Sequence, residues 1–87
     1  MRPKNPIHPG EMLLEEFLIP LEISQRAFAD KLSWTPAKLN ELIKGKRGVT
    51  ADSALDLAAA TKTSPELWLN LQMYFDLEQA EKRREAA

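Results

Sequence analysis

Eighty-seven residues make one domain, with room for a small core but not for a deep catalytic cleft. With 44% apolar and 29% charged residues the chain is expected to fold rather than stay disordered, and the absence of cysteine excludes disulfides and thiolate metal sites. The net charge of −1 hides an uneven split: through Thr50 eight Lys/Arg meet six Asp/Glu, whereas from Ala51 onward four meet seven.

Apolar residues recur at spacings of three and four and nowhere alternate over a useful length, so the reading is all-α, five helices with no strand. The first helix starts at Pro9, a residue suited to the first helical position. It carries Leu13, Leu14, Phe17 and Leu18 and is stopped by Pro20. Ser24 reads as the N-cap of a second helix, about Gln25 to Leu32, with Ile23 and Phe28 placed to form a hydrophobic staple. Phe28, Ala29 and Leu32 face inward. A third helix spans about Thr35 to Lys44, capped by Thr35 or Trp34, with Leu39, Leu42 and Ile43 inward and Gly45 as its terminating glycine. Thr50 caps a fourth helix, "ADSALDLAAATK". Ser64-Pro65 opens a fifth, running to about Gln79 and fraying through "AEKRREAA". No internal repeat or second domain interrupts residues 1–87.

The second and third helices, residues 24–44, have the spacing of a helix-turn-helix: Ala29 is small where the two helices cross, and Phe28, Leu32, Leu39 and Leu42 fix the angle between them. The corner, Ser33 and Trp34, departs from the glycine and small aliphatic residue usual there. Trp34 is read as a plug between the two helices. The third helix then offers Thr35, Pro36, Ala37, Lys38 and Glu41 to a major groove. Lys38 can donate to guanine or to phosphate, Glu41 can accept from cytosine, and the methyls of Thr35 and Ala37 can touch thymine. Ser24, Gln25, Arg26, Lys44, Lys46 and Arg47 suit the phosphates around the groove. From Lys38 to Arg47 four cations meet only Glu41. An acidic chain can therefore bind DNA through a local basic face.

His8, Glu11 and Glu15 fall at helical spacing but are read as a cap beside a solvated acidic face, not as a metal site. A single histidine and no glycine-rich phosphate loop leave no nucleophile–base pairing, so neither an enzyme nor a cofactor is expected. No run of about 18 apolar residues is present, and "MRPKNPIHPG" lacks the apolar stretch of a signal peptide, so the expected address is the cytoplasm, with no membrane partner.

Four stretches, "HPGEML" from His8, "EEF" from Glu15, "GKRGVTADSALDLA" from Gly45 and "TSPELWLNLQMYFDLEQA" from Thr63, resemble the HigA family of antitoxins within the lambda-repressor-like helix-turn-helix group. The resemblance implies a transcriptional repressor that binds its own promoter as a dimer and neutralises a ribosome-dependent, mRNA-cleaving toxin. A stand-alone regulator without a toxin, or a protein-interaction module without DNA binding, remains the alternative. A ribonuclease toxin is expected to be basic, which makes the acidic half, with Glu78 and Glu81, its expected docking surface.

The fifth helix carries two apolar stripes. At about 100° per residue, Leu67, Trp68, Leu71, Tyr74 and Phe75 lie on one side and Leu69, Met73, Leu77 and Ala80 on nearly the opposite one. The first can face the core. The second is expected to join two copies, setting recognition helices about 34 Å apart on a palindromic operator.

Overall fold

A computed structural model describes residues 2–86. Five helices, and among the described residues no strand, follow one another as α1 (Pro9–Leu13), α2 (Gln25–Leu32), α3 (Pro36–Ile43), α4 (Ala51–Thr61) and α5 (Pro65–Ala86). The caps explain the starts. His8, Ser24, Thr35 and Thr50 each accept a hydrogen bond from a backbone N–H two or three residues on, and Pro9 and Pro36 take the first helical position. At Thr50 the bond is reciprocal. The Ser53 amide donates to Thr50 Oγ1 at 3.2 Å, and the Thr50 amide donates to Ser53 Oγ at 2.8 Å.

The first helix departs from the uniform α-helix expected between Pro9 and Pro20. From Leu14 to Leu18 it widens into a π-helical turn, closed by the Ile19 amide donating to the Leu14 carbonyl at 3.0 Å. In an α-helix Leu13 and Leu18, five residues apart, would point about 140° from each other. The wider turn brings both into the core.

That core holds Leu13, Leu18, Phe28, Ala29, Leu32, Trp34, Leu39, Leu42, Val49, Leu57 and Trp68, so every helix contributes to it or closes on it. The fifth helix outruns its expected end near Gln79 and continues to Ala86. Residues from Ala80 onward are strong helix formers, a Glu78–Lys82 pair at 3.3 Å spans one turn, and Arg83 and Arg84 sit in the last turn, where the helix dipole favours cations.

One close approach sets α3 against α1. A Cβ built on Gly10 would overlap the backbone carbonyl of Leu42, so the two helices cross where only a glycine fits. Gly10→Ala is expected to lose about 1–3 kcal/mol of stability, as overpacked sites do, read as a lower urea midpoint at unchanged slope.

Candidate nucleic-acid interface

The helix-turn-helix corner forms despite its unusual residues. Ser33 takes the left-handed backbone conformation (φ 59°) that a glycine would occupy, while its amide donates to the Asp30 carbonyl at 3.1 Å and the Trp34 amide to that of Ala29 at 2.9 Å. Trp34 is buried beneath the corner, as expected of a plug, and its indole N–H donates to Asp56 Oδ2 on α4 at 2.9 Å. The tryptophan thus ties the helix pair to a third helix. Its ring also carries Lys38 Nζ 4.2 Å from the centroid, a cation–π contact.

Beyond α3 the chain turns through a Schellman motif. Gly45 (φ 75°) donates to the Leu42 carbonyl at 3.0 Å, and the Lys46 amide to the Glu41 carbonyl at 2.8 Å. This leads into the basic loop. Gln72 of α5 holds the far end of that loop, because its Oε1 accepts from the Val49 amide at 2.8 Å while its Nε2 donates to Asp76 Oδ1 at 2.9 Å. His8 lies on the loop's other flank, its ring edge-on to Phe75 with centroids 5.0 Å apart. It is a cap, with Nδ1 accepting from the Gly10 amide at 3.0 Å, and burial pushes its imidazole below the ordinary histidine range against the opposing pull of Asp76. Among the described residues no three His, Asp or Glu side chains converge to hold a metal ion.

The residues expected to meet DNA fall into two groups. Pro36, Ala37, Arg26, Lys44 and Lys46 are exposed and make no ion pair among the described residues. The others are engaged. Ser24 Oγ and Thr35 Oγ1 act as caps, each accepting at 3.1 Å from the amides of Ala27 and Lys38, which leaves the exposed Thr35 methyl free. Lys38 rests on Trp34. Glu41 binds Arg47 at 2.7 Å, which leaves Lys38, Lys44 and Lys46 as the cations of this stretch without an ion pair among the described residues. Gln25 Oε1 accepts at 3.2 Å from Nδ2 of Asn40, a residue of α3 that sequence reasoning passed over. Position alone could have found it, since it lies three residues beyond Ala37 on the same helix.

On α5 the first stripe faces the fold: Trp68 is fully buried and Leu67, Leu71, Tyr74 and Phe75 are half-buried. The second stripe is open at Leu69, Met73 and Leu77, which are 37%, 45% and 41% exposed, with Ala80 half-buried at its end. No described helix is long and apolar enough to cross a membrane.

Comparison with known proteins places this geometry in context. A helix-turn-helix family model matches residues 14–68, most of the chain. The antitoxin HigA-1 of Vibrio cholerae is 43% identical over 75 residues, covering 85% of this chain and 70% of its own. Among solved structures, antitoxin GraA in complex with its operator superposes with a TM-score of 0.86 at 41% identity, over 99% of this chain and 87% of that one. The Pseudomonas aeruginosa antitoxin HigA with the higBA promoter gives a TM-score of 0.88 at 36% identity, over 94% and 89%. These likenesses run through the corner, the basic loop and the long last helix together, and the chain belongs to the helix-turn-helix family, in its HigA group of antitoxins.

Proposed function

We propose that this chain is a sequence-specific DNA-binding repressor and the antitoxin of a toxin–antitoxin pair. It binds a palindromic operator as a homodimer, regulates its own operon, and neutralises an mRNA-cleaving toxin; it acts by binding, not by catalysis. The observation that carries the reading is the α2–α3 unit with Lys44, Lys46 and Arg47 at its rim, in a chain that superposes over nearly its whole length on an operator-bound antitoxin. Thr35, Pro36, Ala37, Lys38 and Glu41 are the proposed base contacts. Ser24, Gln25, Arg26, Lys44, Lys46 and Arg47 are the proposed phosphate contacts. The dense negative charge of a duplex competes with Glu41 for Arg47, and release of Glu41 frees its carboxylate for a cytosine.

The acidic half, with Glu78 and Glu81, is the proposed docking surface for a basic toxin. Glu78 is paired with Lys82, and Glu81 binds Arg2 at 2.7 Å, surface pairs that a cationic partner exchanges for its own contacts.

A promoter-shift assay with DNA from immediately upstream of its own gene tests the reading. The double variant Lys46→Ala with Arg47→Ala is expected to bind every sequence more weakly and to flatten the log–log salt dependence by about 0.9 for each phosphate that the loop then leaves unneutralised. Unchanged affinity and slope would remove the basic loop from the interface.

A further inference from the structure

Gln25 and Asn40 come from different helices and lie 15 positions apart, yet their side-chain amides meet at 3.2 Å. Gln25 is the first residue of α2 and Asn40 lies in the middle of α3, so the bond joins the front of one helix to the outer face of the other. At about 100° per residue, Pro36, Ala37, Asn40 and Glu41 share an arc of about 140° on α3, while Leu39, Leu42 and Ile43 fill the inward side. Asn40 therefore belongs to the surface that the DNA-binding reading presents to the groove. Lys38 lies about 60° beyond Glu41 at the edge of that arc, its ammonium resting on Trp34 in the free protein.

The hydrogen-bond inventory of the pair defines what it can still bind. An asparagine amide has two N–H donors and one acceptor oxygen. One N–H of Asn40 goes to Gln25 Oε1, and among the described residues no protein group takes the other N–H or Oδ1. An N–H beside a carbonyl oxygen is the complement of an adenine's major-groove edge, which offers the N7 acceptor and the N6 donor. Gln25, having accepted through its oxygen, keeps both Nε2 hydrogens. It stands at the start of α2 beside that helix's first free amides, where a DNA phosphate is favoured.

We propose that Asn40 reads an adenine in each operator half-site and that Gln25, anchored on a backbone phosphate, is the positioning residue that holds Asn40 in register. The proposal rests on the DNA-binding reading above and deepens it by naming a base and the residue that selects it.

Fluorescence anisotropy with full-length protein, the promoter fragment and a panel of operators substituted one base pair at a time provides the test. Asn40→Ala is expected to lose about ten- to hundredfold of the preference for A·T at one position per half-site, with affinity for random-sequence DNA and the salt slope unchanged. Gln25→Ala is expected to weaken operator binding and to blur the same base position at an unchanged salt slope, because a neutral amide displaces no counterion from a phosphate. A purely structural role for the pair would weaken binding to all sequences alike, and that outcome in a folded Asn40→Ala protein overturns the proposal. So does an Asn40→Ala protein that keeps the wild-type preference at every position. A wild type that does not distinguish promoter from random DNA overturns the DNA-binding reading itself.

Discussion

Met73→Glu combined with Leu77→Glu is expected to give a folded monomer that binds a two-half-site operator about 10²- to 10⁴-fold more weakly than the wild type, the advantage that linking two binding modules confers. The stripe these residues occupy is open in the single chain: Leu69, Met73 and Leu77 are each more than a third exposed and repeat every four residues along one edge of α5. At 1.5 Å per residue they cover about 12 Å of helix, enough for a seam against a second copy. A charge at the centre of such a seam would be desolvated without a partner. In the monomer both positions meet water, so the substitutions leave the core untouched. Sedimentation velocity with operator titration decides the matter. A monomeric wild type, or a variant that remains dimeric, would refute this interface.

Trp68→Ala is expected to be the most damaging single change to the fold. The indole is fully buried, lies 5.8 Å from the Phe17 ring across the π-helical turn, and donates through its N–H to Thr63 Oγ1 at 2.8 Å. It pins α5 to the first helix and to the α4–α5 turn at once. Truncating a buried tryptophan to alanine costs about 3–5 kcal/mol, a large share of the total for a small domain at about 0.05–0.15 kcal/mol per residue. At about 4–8 °C per kcal/mol, Tm should fall by more than about 12 °C. Thermal unfolding followed by circular dichroism checks this, and a fall of less than about 5 °C would show that neighbouring side chains fill the space. Trp68→Phe should recover part of the stability, since a ring still packs on Phe17 while the bond to Thr63 and the volume of the second ring are lost.

The helices were legible where a cap announced them. Ser24, Thr35, Thr50 and Gly45 carry local chemistry that depends on the two or three residues beside them, and each acts where the sequence placed it. The same holds for the two stripes of α5, a periodic signal within one helix. What escaped was non-local or conformational. Gly10 reads as an ordinary early-helix glycine until Leu42, 32 residues later, is packed against it. Nothing in "LEEFL" specifies a π-helical turn; the need to bury both Leu13 and Leu18 does. Ser33 adopts a glycine-like conformation at the end of α2, and Trp34 beneath it bonds Asp56, a partner 22 positions away. In the candidate interface the identity of the cations was readable, but their engagement was not. Glu41 with Arg47, Lys38 with Trp34 and Gln25 with Asn40 are pairings that only the folded chain brings about.

The basic loop from Gly45 to Val49 is fastened at both ends, by the Schellman turn on α3 and by Gln72 of α5. Ordering a residue's backbone costs about 1–2 kcal/mol in conformational entropy, and in a slack loop most of that cost would fall at the moment of association. Here it is met when the domain folds. Lys46 and Arg47 thus stand on a scaffold whose disorder has already been removed, and the attraction they exert on a polyanion is left to bring the two molecules together rather than to arrange the chain that carries it.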